Sequence, residues 1–128
     1  MKSVSDKATY AHIFIYKVRI KNHDGLLKVL DKLERIYRKH GALRTSVHQL
    51  EERSKVYDGF EGFSKVLKAS SEDEIWIETV SYPNRSEFHR ITAKIGEDAD
   101  AGPLWEELVK FGLPDPIVMG EFTSLNTH

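Results

Sequence analysis

Hydrophobic residues along this chain switch between two spacings, and the switches mark its elements. Tyr10 to Ile20 (YAHIFIYKVRI) is dense in β-branched and aromatic residues and reads as a strand. Asn22 and Asp24 are helix-cap types. After them Leu26, Leu27, Leu30, Leu33, Ile36 and Tyr37 recur at helical spacing, and Gly41 closes the helix. Asp31–Arg35 and Glu34–Arg38 are placed as i,i+4 ion pairs on its outer side. Ala42 to Glu52 alternates as a second strand. Glu74 to Tyr82 (EIWIETVSY) is a third, stopped by Pro83.

The second half repeats this plan. Asn84 with Glu87 three residues on resembles a capping box, and Phe88, Ile91 and Ile95 follow on one helical face up to Gly96. Pro103 suits the first position of a short helix carrying Leu104, Leu108 and Phe111, stopped by Gly112. Pro114 and Pro116 lead into a last strand, Ile117 to Leu125. From Arg53 to Ser71 the pattern is irregular, broken by Gly59 and Gly62, with a short helical turn at Phe63, Val66 and Leu67. The order β-α-β, connection, β-α-(α)-β is the ferredoxin-like split βαβ. The expectation is an α+β fold with one antiparallel sheet and its helices on one face. Residues 1–9 form a polar tail and residues 10–128 a single domain of ordinary size.

Such a sheet leaves its other face bare, and side-chain alternation sorts the two faces. The odd positions Ile13, Ile15, Leu43, Val47, Ile75 and Ile77 are aliphatic and are expected under the helices. The even positions hold Tyr10, His12, Phe14, Tyr16, Arg44, Ser46, His48, Trp76, Glu78 and Tyr82. On a bare face these aromatics would make a patch larger than monomers leave exposed. A second copy of the sheet is the expected cover, since isologous dimers are the commonest oligomers.

Composition narrows the partners. Nineteen Lys+Arg against twenty Asp+Glu leave a net charge of −1, so no global basic field draws the chain to nucleic acid or lipid. RNA stacks on the sheets of RNA-recognition domains of this topology. Here the corresponding strand carries Asp73, Glu74 and Glu78, which repel phosphate. No apolar run is long enough for a signal peptide or a membrane span, so a cytoplasmic location is the expectation. The absence of cysteine removes thiolate chemistry, disulfides and Cys-type zinc sites together.

Several motifs in order then look familiar. They are His40-Gly41-Ala42-Leu43-Arg44, Phe63 with Lys68-Ala69, Tyr82-Pro83-Asn84-Arg85 running on to Lys94-Ile95 and Asp98, and Met119-Gly120 with Phe122. Together they resemble the uncharacterised YbaA-like family of the dimeric α/β-barrel superfamily. The resemblance implies a homodimer in which two ferredoxin-like sheets close a barrel, and it implies no reaction. Superfamily relatives include cofactor-independent monooxygenases, haem-degrading enzymes and small stress proteins. Family members tend to carry a Trp where this chain has Thr79, with Trp76 three residues earlier.

The candidate chemistry is read from the even face. His12, His48 and Glu78 share parity on strands that this topology makes neighbours. A His beside a carboxylate in a partly enclosed space can take a proton from a phenol or an enolisable ketone. Tyr16, Trp76 and Tyr82 would supply flat walls for such a ligand, and Arg44 a charge at its edge. Two His and a carboxylate also form a transition-metal set, but no HxH or HExxH spacing supports one. No cofactor and no metal is therefore assigned. His23, His40 and His128 read as surface residues, and His89 as solvent-facing or locally satisfied. The expectation is a small-molecule-binding protein, with oxygenase-like chemistry on an aromatic or enolisable metabolite. The alternative is an ACT-like amino-acid-binding regulatory module, from the resemblance of Asn22-His23-Asp24-Gly25-Leu26-Leu27 to the turn that opens the first helix of those domains.

Overall fold

Four antiparallel strands pair in the order β2-β3-β1-β4: β1 Tyr10–Arg19, β2 Arg44–Gln49, β3 Asp73–Tyr82 and β4 Val118–Thr123. The structure, a computed structural model, describes residues 7–51, 55–111 and 118–125. Gly112, Pro114, Pro116 and His128 lie outside the described residues. The helices are α1 His23–Lys39, the single turn α2 Phe63–Val66, α3 Arg85–Glu97 and α4 Ala101–Lys110. The α+β, ferredoxin-like architecture expected from the pattern is the one observed.

Most boundaries follow from local chemistry. Asn84 caps α3 by accepting the Glu87 N–H at 2.8 Å. The return half of the box is not made, because Glu87 pairs with Arg90 at 2.7 Å. Pro103 falls inside the first turn of α4, where a backbone N–H has no helical partner to lose. Asn22 does not cap α1; its amide donates instead to the Phe111 carbonyl at 2.7 Å, tying α1 to the end of α4. Gly41 turns the chain out of α1 at φ +122°, and a Cβ there would lie 2.9 Å from the Ile91 side chain.

On β1 and β3 the faces of the sheet are opposite to the expectation, while on β2 Val47 faces the helices as expected. Phe14, Tyr16, Val18, Trp76, Glu78, Val80 and Tyr82 are buried on the helix side, against Leu26, Val29, Leu30, Leu33, Phe88, Ile91 and Ile95. Ile13, Ile15 and Ile77 lie on the open side. The reason is volume and polarity together. Two helices with leucine-rich stripes need large partners, and the aromatic set also finds hydrogen bonds there. Tyr16 donates to Glu78, and the Trp76 indole donates to Glu74 at 3.1 Å. Glu34 differs from expectation in the same sense. It is buried in the α1 stripe, while the Arg38 guanidinium bonds the Thr45 hydroxyl. The Asp31–Arg35 pair is present at 3.0 Å.

Parity also does not carry across the whole sheet. Residues directly opposite in an antiparallel pair point to the same face. β1 and β3 pair even with even, as in Phe14↔Glu78. β2 pairs odd with even, so Val47 stands opposite Glu78 and His48 opposite Ile77. β2 therefore contributes Arg44, Ser46 and His48 to the open face. That face is further dressed by α2, just beyond which the Lys17 ammonium donates to Leu67 O at 3.0 Å.

Candidate active site

The candidate site lies between the helices and the β1–β4 side of the sheet. His12, Phe14, Val80 and Tyr82 floor a cavity of about 320 Å³. Tyr37 of α1, Thr92, Ile95 and Gly96 of α3, Trp105 of α4 and Met119 of β4 complete it. Its lining is mostly apolar and aromatic, and its size is at the small end of ligand pockets. The strand alternation that buries Phe14 also brings His12 to the same side, opposite Val80 and Glu121.

His12 is half-buried, with its ring against Phe14 (centroids 4.2 Å apart) and edge-on to Phe88 at 5.3 Å. Burial pushes its pKa below the usual imidazole value, and the nearby Glu121 carboxylate only partly opposes this. The imidazole is thus neutral at pH 7 and able to accept a proton. Glu121 is itself engaged, accepting from the Tyr10 hydroxyl at 2.6 Å.

Behind the cavity wall sits a group of buried acids and phenols. Tyr16 Oη donates to Glu78 Oε1 at 2.6 Å, and the Glu34 carboxyl of α1 is near enough to act on the same group. Glu78 is pushed up to about 9, first by burial and then by Glu34, with the Tyr16 hydroxyl pulling the other way. Burial raises the phenols of Tyr16, Tyr37 and Tyr82 as well, and each is further raised by the Glu78 charge. Tyr37 and Tyr82 belong to both the cavity wall and this group. On its other side Glu34 borders a broad groove of about 830 Å³ between α1 and β2, with Asp24, Asp31, Thr45 and Val47.

The expected constellation is therefore divided. His12 and Tyr82 line the cavity, and Glu78 lies one layer behind it. Tyr16 and Trp76 are core residues. His48 is on the opposite face, beside an apolar pocket with Ile15, Phe63, Ile75 and Ile77, and Arg44 is exposed near the same edge. His48 cannot join His12 and Glu78, because the β2 register turns it away. No group of three or more His, Cys, Asp or Glu among the described residues is placed to hold a metal.

Two further histidines are not plain surface residues. His23 Nδ1 meets Glu74 at 2.6 Å, with its ring edge-on to Trp76 at 5.1 Å. His40 meets Asp98 at 2.7 Å, and this contact, with a backbone N–H and Lys39, holds the Asp98 carboxyl down at about 2. His89 is exposed, as expected. Sequence reasoning missed Tyr37, Glu34, Trp105 and Met119 as site residues. The first two sit in the apolar stripe of α1, where a carboxylate and a hydroxyl among leucines were the available signal.

Solved structures share the fold. A dimeric ferredoxin-like protein from an uncultured marine organism superposes with a TM-score of 0.62 at 10% identity, covering 94% of this chain and 98% of its own. A second such protein from an uncultured marine organism gives 0.61 at 17%, covering 98% and 95%. SnoaB, a cofactor-independent oxygenase from Streptomyces nogalater, gives 0.58 at 15%, covering 94% and 97%. No functionally curated protein matches the sequence. No helix among the described residues is long and apolar enough to cross a membrane. The family model described as "Protein of unknown function (DUF1428)" matches residues 9–111, and the chain belongs to that family.

Proposed function

We propose that the cavity binds a small, flat aromatic or enolisable metabolite and that His12 is its general base. The observation that carries this is a neutral, half-buried imidazole at a cavity walled by Phe14, Tyr82 and Trp105. A base needs a pKa near the working pH and a desolvated site. His12 takes a proton from a phenol or from the carbon beside a carbonyl, and Tyr37, Tyr82 and Trp105 of the cavity lining carry the donor groups that would meet the resulting oxyanion. The electron-rich anion is the species that molecular oxygen oxidises without a cofactor. In that step a ring CH₂ becomes C=O, one oxygen atom enters the product and the other leaves as water, all four electrons coming from the substrate. The fold shared with a cofactor-independent oxygenase supports this reading by analogy only.

His12→Phe should keep the fold and abolish turnover while retaining binding of a neutral aromatic ligand. Oxygen consumption and calorimetric titration over a panel of hydroxylated naphthalenes and anthrones check this. Binding lost in Asp24→Ala but kept in His12→Phe would instead favour an amino-acid-binding module at the start of α1. The structure favours the cavity, because the space beside Gly25 is already filled by the Phe111 ring, 2.5 Å from where a Cβ would lie.

The open sheet face is the proposed homodimer surface. It presents Ile13, Ile15 and Ile77 with the exposed Val118 and Phe122, an apolar set unlike a solvated sheet face. The structural relatives described as dimeric support a second copy as its occupant. The proposed surface is thus aliphatic, with Ile13, Ile15 and Ile77 where aromatic residues were expected. Ile15→Glu should halve the mass seen by light scattering at micromolar concentration. A native chain that is already monomeric there would sink the proposal.

A further inference from the structure

We infer that Glu34 and Glu78 form a one-proton site, a hydron held between two buried carboxyls that exchange it with water through the α1–β2 groove. This goes beyond the cavity reading and holds whatever the cavity binds. Glu78 is 1% exposed and Glu34 8%. Glu78 Oε1 accepts from Tyr16, but Glu78 Oε2 and Glu34 Oε2 are both buried with no donor. Val47 lines the groove with Glu34 and stands opposite Glu78, so the two orphaned oxygens lie in one buried region, and acceptor-only groups there are satisfied only by a proton, since a carboxylate oxygen cannot donate. One proton converts two unsatisfied buried oxygens into a donor–acceptor pair.

The surroundings offer no other compensation. Tyr16 faces the pair from β1, Glu34 and Tyr37 from α1, and Tyr82 from β3; β2 brings Val47, opposite Glu78. No cation among the described residues forms an ion pair with either carboxyl. Two adjacent carboxylates in such surroundings cannot both ionise cheaply. Glu34 borders the groove, so the proton has a short way to solvent that does not pass through the cavity. Tyr37 and Tyr82 carry the consequence to the cavity, because their hydroxyls feel the charge on Glu78.

Infrared spectroscopy of the full chain at pH 7 tests this, since ordinary carboxyls are ionised there. The native protein should show the C=O band of one protonated carboxyl, absent from both Glu34→Gln and Glu78→Gln. The band should shift in deuterium oxide without unfolding. Tyr16→Phe removes the hydrogen bond that favours the ionised form, so it should keep the band and move its titration midpoint to higher pH. This variant keeps the test alive if a Gln variant fails to fold. The inference is overturned if no protonated carboxyl is present at pH 7, as a bound sodium or potassium ion would require. It is also overturned if the band survives in Glu78→Gln, or if it shifts in deuterium oxide only on unfolding. None of these readouts depends on ligand or turnover, so loss of the cavity reading would leave them unchanged.

Discussion

Trp76→Ala should remove about 3–5 kcal/mol of folding stability, the range for deleting a large buried aromatic side chain. Typical domains hold only about 5–15 kcal/mol in total, so this single change approaches the limit of foldability. Trp76 is among the largest fully buried side chains, and three losses combine at this position. The ring vacates a core that cannot fully collapse around it. The Glu74 carboxylate loses its indole donor, and His23 loses the ring it stands against. Trp76→Phe keeps most of the volume but not the N–H and should cost less. Urea unfolding followed by far-ultraviolet circular dichroism measures both. The pair also tests which way the sheet faces. Were Trp76 on the open side, alanine would weaken self-association and leave the unfolding midpoint almost unchanged.

Glu78→Gln should flatten the dependence of stability on pH. Unfolding returns Glu78 to water and to its ordinary value of 4.5, whereas in the fold burial and Glu34 raise it to about 9. Between those values the folded chain binds more protons than the unfolded chain, so stability falls as pH rises. The contribution is complete below about 4.5 and is lost progressively up to about 9. Gln keeps an acceptor for Tyr16 and can donate to Glu34, and it has nothing to ionise. At pH 8 the variant should exceed the native protein by an amount on the order of 4 kcal/mol, three pH units above pH 5 at about 1.4 kcal/mol each, because the unfolded carboxyl has ionised while the folded one still holds its proton. At pH 5 the two should nearly coincide. Thermal melts from pH 5 to pH 9 settle it, and parallel curves for the two proteins would refute the role given to this carboxyl.

The fold was legible because each element announces itself locally. The stripe from Leu26 to Tyr37, the Asn84 cap and the Tyr82-Pro83 stop are short-range signals, and each appears where expected. The site was only partly legible, because it depends on two things that no local pattern contains. One is the register of β2, a single-residue matter that sends His48 to the face opposite His12. The other is which face the helices choose. An aliphatic set and an aromatic set are both apolar enough for a core, and the choice turns on volume and on partners for Tyr16 and Trp76. Glu34 shows the same limit, since an i,i+4 rule gave it to Arg38 while its place among leucines gave it to the core.

The pairing of β1 with β4 has a consequence for how the protein comes to be. It joins Tyr10 to Thr123, so everything between them must be made before that ladder can close. Pairings between distant parts of a chain are slow, because a long loop must be ordered before any contact rewards it. The β2–β3 ladder and the packing of α1 join parts of the chain closer in sequence and can form earlier. β4 supplies Met119 to the cavity and sets Glu121 opposite His12. The cavity is thus the last part of the molecule to be assembled, and a chain still emerging from the ribosome has not yet closed it.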